Sequence, residues 1–197
     1  MTDFHFIKDE MLVHIPACTH ASPSRALVIG GCDNIRNEFA KYSDFEELVY
    51  IDADGVMDSF ANMGVKSFDM AVVADDSFHG DRDFWIELTK VLDEKAVVSA
   101  TLPNIVSDES EAKRSLELLG RIYRIVMPYR YESYDSDCGL GSEYLVLASR
   151  FYHPTADINL QRADLTDGFR YYNSDIAIAA FQTPTFINRN YLGVIKR

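Results

Sequence analysis

The sequence predicts an α/β domain built on a doubly wound, mostly parallel sheet. Three observations support this. Short continuous apolar runs alternate with segments of helical period, the first run ends in paired glycines, and the second is closed by an acid. Continuous apolar runs suit strands buried on both faces, and strand–helix alternation implies right-handed crossovers between parallel strands.

The elements follow in order. Residues 26–30 (Ala-Leu-Val-Ile-Gly) form the first expected strand, and 35–41 a short helix. Residues 48–51 form a second strand closed by Asp52, and 56–63 a helix stopped by Gly64. A third strand is expected over 70–74. Trp85, Leu88 and Leu92 share one face of the next helix. A fourth strand covers 96–100, and Ala112, Leu116 and Leu119 mark another helix. Residues 122–127 and 144–148 read as the last two strands. The turn-rich stretch 133–142 between them allows an antiparallel hairpin at the sheet edge as well as a further crossover. The tail from Phe151 holds helix-like pieces near 157–165 and 176–181, and no linker composition separates it from the rest.

Composition narrows the functional classes. The chain has 197 residues, the length of one ordinary domain, and is 47% hydrophobic. A net charge of -12 and a pI near 4.7 argue against nucleic acid and anionic membrane surfaces as partners, and are compatible with a cationic ligand. Cys18, Cys32 and Cys138 are an odd set without CxxC spacing, which reads as a reduced protein of the cytoplasm. Residues 1–10 do not resemble a secretory signal, and no run reaches the roughly 18 apolar residues of a membrane span.

The first strand runs into Gly30-Gly31-Cys32-Asp33-Asn34. Glycines there allow a sharp turn and close approach of backbone to a ligand, and the helix that follows aims its amides at the same spot. Asp52 lies nineteen residues beyond Asp33, at a strand end where an acid accepts both hydroxyls of a ribose. A nucleoside site and a plain strand–helix turn both fit these residues. His14, Cys18 and His20, and His79 among Asp75, Asp76, Asp81 and Asp83, are poorer sets: loops with satisfied histidines explain them better than metal ions, and no metal is expected. Ser24, Ser99 and Ser142 lack a nucleophile elbow.

Four stretches resemble the spermidine synthase (polyamine aminopropyltransferase) family: 10–20, the Leu-Val-Ile-Gly-Gly-Cys-Asp of 27–33, the Phe-Asp strand of 68–73, and Tyr171-Tyr-Asn-Ser-Asp-Ile176 with Ala179-Ala-Phe181 and Pro184. The resemblance implies a Rossmann-like fold of the S-adenosylmethionine-dependent methyltransferase type lacking most of the family's N-terminal β domain. It divides the chain into a β remnant (1–20), the main domain (21–150) and a packed appendage (151–197). It also implies aminopropyl transfer from decarboxylated S-adenosylmethionine, a co-substrate, to putrescine or a related amine, with no permanently bound cofactor. Gly30, Gly31, Asp33 and Asp52 are then the donor-binding residues, with Asp33 on the aminopropyl ammonium and Asp52 on the ribose. Asp75 or Asp76 assists deprotonation of the amine, and adjacent carboxylates raise one pKa to suit that task. Asp9 and Tyr134 fall in the amine pocket, and a homodimer is at most expected.

The departures are equally specific. Ala74-Asp75-Asp76-Ser77 stands where the family has Asp-Ser-Ser-Asp, so Asp75 meets the family base only by a one-residue shift. Residues 53–67 lack the family's adenine motif, which implies a sheet short of one edge strand. Lys8-Asp9 replaces a Tyr-Gln pair, and Ala177 and Ile178 replace a histidine and a basic residue. A catalytically degenerate homologue that binds a nucleoside or polyamine without turnover is therefore the alternative.

Overall fold

A computed structural model describes residues 4–31, 33–135 and 139–197, with only the backbone of residue 135. Cys32 and Cys138 lie outside the described residues. One six-stranded sheet has the order β2-β1-β3-β4-β6-β5, with β1 (Arg25–Ile29), β2 (Glu47–Ile51), β3 (Phe68–Val73), β4 (Leu92–Thr101), β5 (Ile125–Asp135) and β6 (Gly139–Ser149). The first four strands are parallel, and β6 inserts antiparallel between β4 and β5.

Side chains alternate across the pleat, so each central strand feeds two cores. Leu27, Ile29, Ala71 and Val73 pack under α3 (Val56–Ala61), α4 (Arg82–Val91), α5 (Glu109–Ile122) and α8 (Thr185–Asn190). Ala26, Val28, Met70 and Val72 pack under α1 (Phe6–Thr19), α2 (Asp33–Phe39), α6 (Leu160–Leu165) and α7 (Ser174–Ala179). The sheet is thus the middle of three layers.

The strands and the two long amphipathic helices agree with the periodicity. Three places do not. Residues 6–19, expected as the remnant of a β region, are a helix buried from Asp9 through Thr19. A helix covered on all sides carries no amphipathic period, which hid it. Pro16 within it removes one donor, and Thr19 Oγ1 donates to Ile15 O at 2.7 Å near the helix end. Leu92, expected on a helix face, instead opens β4 directly after Val91 ends α4. The stretch 133–142, read as a turn, contributes its outer residues to a long hairpin that pairs Asp135 with Gly139, and β6 lies inside the sheet while β5 takes the edge.

The β5 edge is closed. Val126 exchanges two backbone hydrogen bonds with Lys196, Arg130 N donates to Ala180 O, and Glu132 N donates to the Tyr171 hydroxyl. Pro128, which alternates with these residues, has no N–H to offer.

The tail is fastened from within. The Glu10 side chain, fully buried, accepts hydrogen bonds from the backbone N–H groups of Arg170, Tyr171 and Tyr172 at 2.9, 2.8 and 2.9 Å, with the Lys41 ammonium 3.7 Å away. Arg162 donates to the carbonyls of Ala17, His20 and Ala21 beyond the end of α1. His14 lies against Glu38 at 2.7 Å and the Tyr42 hydroxyl at 2.8 Å. Burial pushes the His14 pKa down, against the pull of Glu38.

Replacing Glu10 with Ala leaves three amides, that of Tyr172 buried, without their acceptor, so Glu10→Ala should lose about 3 kcal/mol in denaturant unfolding. His14 has a lowered folded pKa, so the unfolded chain takes the proton first and protonation favours unfolding. Its contribution should be intact above about pH 6.5 and decline as pH falls below that value. A His14→Gln variant should show a flatter stability profile across pH 6.5–5 by calorimetry.

Candidate active site

The chain leaves β1 for β2 on one side and returns to β3 on the other, so the sheet's topological switch point lies between β1 and β3. Open α/β sheets bind ligands at the carboxyl ends of strands beside such a point. Gly30 sits there with φ +69°, its N–H bonded to Ile51 O, while Ala74 N–H bonds Ile29 O. A Cβ on Gly30 would stand 2.7 Å from Asp75 Cβ, and one on Gly31 2.6 Å from Val28 Cγ1. Both glycines are therefore required by space, and Gly30 also by its backbone conformation.

Asp75 lies two residues beyond the third strand and caps the 3₁₀ turn Asp76–Phe78, accepting from Ser77 N at 2.9 Å and from the Ser77 hydroxyl. These bonds hold its carboxyl below the usual range. At Asp75, therefore, the pKa is not the raised one expected of one member of the acidic pair: hydrogen bonds to the charged form outweigh its desolvation. Asp76 is exposed, with Oδ1 3.7 Å from His79 Nε2. His79 also contacts Thr101 Oγ1 at 2.9 Å, and burial lowers its pKa.

The segment 75–81, read above as a polar loop, is anchored from below. Phe78 is buried and stacks on Phe84 at 3.9 Å, Trp85 Nε1 donates to Phe78 O at 2.8 Å, and Asp81 caps α4 through Phe84 N.

Asp9 reaches this edge from α1. It is buried, which raises its pKa, and its side chain hydrogen-bonds Asn34 in α2. Tyr131 on β5 lies close enough to Asp9, Asp76 and Glu143 to feel all three charges, and its pKa is raised, by burial first. Asp9, Gly30, Asn34, Asp75, Asp76, His79, Thr101 and Tyr131 thus come from α1, α2, β5 and the ends or exits of β1, β3 and β4. Asp33 opens α2 with a fully exposed side chain 3.9 Å from Arg36. Asp52 follows β2 and is exposed, and Tyr134 stacks on Phe4 with centroids 4.4 Å apart and is 55% exposed. Among the described residues no three His, Cys, Asp or Glu side chains gather in a way that would hold a metal ion.

Tyr131, Thr101 and the inward contacts of His79 are absent from the sequence reading. Thr101 was legible as the residue ending a parallel strand. Tyr131 was not, because its strand was expected to stop at 127.

The three-layer architecture, with its antiparallel hairpin inserted at one side of a parallel sheet, defines the methyltransferase-like class of α/β proteins. It superposes on a spermidine synthase in complex with the transition state analogue AdoDATO (TM-score 0.84, 20% identity, 97% of this chain and 76% of that one) and on spermidine synthase from Thermotoga maritima (TM-score 0.82, 21% identity, 97% and 76%). The spermine/spermidine synthase domain model matches residues 5–79. A polyamine aminopropyltransferase of Helicobacter acinonychis is 23% identical over 92% of this chain and 75% of its own length, and one of Shouchella clausii 25% identical over 92% and 77%. The chain thus resembles the spermidine synthase family in fold along nearly its whole length, and in sequence at 21–25% identity to the curated polyamine aminopropyltransferases it matches.

Alanine at position 30 meets both a positive φ and the Asp75 side chain. Gly30→Ala should cost about 1–3 kcal/mol and lower the melting temperature.

Proposed function

We propose that the protein is an aminopropyltransferase, a cytoplasmic transferase that moves the aminopropyl group of decarboxylated S-adenosylmethionine to an amine. The observation that carries this reading is the convergence at the sheet's switch point: the Gly30 turn packs directly on Asp75, with Asp76, Asp9 and Tyr131 around it. Similarity to polyamine aminopropyltransferases along most of the chain supports the same reading. The amine nitrogen attacks the carbon next to the sulfonium, that carbon–sulfur bond breaks with its electron pair left on sulfur, and the amine gives up one proton. Asp76, which is exposed and bears no cap, suits the proton-accepting role better than Asp75, whose carboxylate is engaged by Ser77. Gly30 and Gly31 admit the donor to the backbone, Asp52 takes the ribose, and Asp33 meets the aminopropyl ammonium after leaving Arg36. Asp9 and Tyr134 border the amine, and no resident cofactor or metal takes part.

The lowered pKa of Asp75 and the solvent-facing Asp33 favour a second reading, a homologue that binds the nucleoside without turnover. Incubation with decarboxylated S-adenosylmethionine and a panel of mono-, di- and triamines separates the two. Methylthioadenosine should form, and Asp76→Asn should reduce its formation by about 100-fold. A rise in melting temperature with methylthioadenosine but no product with any amine supports the second reading.

A further inference from the structure

His79 ends the turn that carries Asp76, as its C-terminal cap. Its half-buried ring puts Nε2 2.9 Å from Thr101 Oγ1, at the end of β4, and 3.7 Å from Asp76 Oδ1. The Thr101 hydroxyl donates to Asp75 O at 3.3 Å. A hydroxyl has a single hydrogen, so toward His79 it is the acceptor and Nε2 the donor. The bonding pattern therefore assigns the proton of the neutral ring to Nε2. His79, Thr101 and Asp75 O form one chain of hydrogen bonds that fastens the turn to β4, and the Asp76 carboxylate lies on the same Nε2 edge of the ring.

A second proton on the ring leaves this chain intact, because Nε2 keeps its hydrogen. It changes what Asp76 faces. The exposed carboxylate then has a full positive charge 3.7 Å away. That charge favours the ionised carboxylate, which becomes a poorer proton acceptor, and it repels an ammonium arriving at the strand ends. We propose that His79 is a positioning residue for Asp76: its neutral ring holds the turn on β4 and leaves the carboxylate free, and its imidazolium form pairs with Asp76 and stops the amine from passing its proton on. This rests on the transfer reading above and deepens it. Burial opposes the imidazolium most, Asp76 and Asp75 favour it, Lys8 of α1 opposes it, and Thr101 of β4 carries no charge. The ring is therefore neutral at pH 7 and gains its proton only below the ordinary 6.5 of an imidazole.

Two measurements test this. In nitrogen-15 NMR the His79 ring, identified by its loss in His79→Gln, should carry its proton on Nε2 at pH 8. Asp76→Asn should lower the pH at which it titrates by about half a unit, because a nearby negative charge is gone. A proton on Nδ1, or a titration that Asp76→Asn leaves in place, overturns the proposal whether or not the chain turns over. The second measurement follows kcat/KM for methylthioadenosine formation between pH 8 and pH 5 with the best amine of the panel, with circular dichroism verifying the fold at each pH. The wild type should lose about tenfold per pH unit below the His79 titration. His79→Gln, whose amide donates to Thr101 but takes no proton, should move that acid limb at least about one unit lower and reduce kcat/KM at pH 8 by about threefold. An acid limb that His79→Gln leaves in place overturns the proposal while the transfer reading stands. No product from the wild type with any amine overturns both.

Discussion

Glu10 is the residue on which the arrangement of this molecule turns. An acid with no solvent exposure is costly to bury, and it persists only because three amides and a nearby ammonium satisfy it. Through those bonds the tail at 170–172 is tied to α1, and α1 is pressed onto β4 and β5. The same acid fixes the rotation of α1 about its own axis. Asp9 directly precedes it in the helix, so the side chain that secures the fold also helps position the acid that hydrogen-bonds Asn34. The Tyr-Tyr-Asn-Ser-Asp stretch has a structural explanation here: its first residues supply two of the three N–H groups, Tyr172 packs against His14 and Phe169, and Asn173 caps α7.

At the strand ends, charge and packing are arranged together. Gly30 leaves room for Asp75, Asp75 shapes the 3₁₀ turn, and the turn seats Phe78 over the core beneath Trp85. The rigid part of the edge is therefore built from below by aromatics. On the solvent side Asp76, Asp33 and Asp52 are exposed. Burial raises the pKa of Asp9, whereas hydrogen bonds lower that of Asp75. Two acids of one site thus differ in proton affinity for separate physical reasons.

Much of this was legible in the residues. The parallel strands appear as unbroken apolar runs, α4 and α5 as helical stripes, and the switch point as glycines after the first run. Asp75, Asp76 and Asp9 were nameable because they border those strands or fall on a family position. What escaped has a common cause, a dependence on partners distant in sequence. The first helix shows no stripe because sheet and tail cover opposite sides of it. Tyr131 belongs to a strand extended by its pairing with β6, which local turn propensity between 133 and 142 does not reveal. The weakened basicity of Asp75 arises from a cap that forms only when Ser77 closes the turn.

The two borders of the sheet differ in kind. On β5 every second amide from 126 to 132 is either spoken for by the tail or absent at Pro128, whereas among the described residues β2 pairs on one side only. The architecture is consequently extensible in one direction. Among the described residues, a ribbon joining this sheet, whether by lengthening of the segment between α3 and β3 or by lateral association of another polypeptide, finds its free edge at β2, next to Asp52.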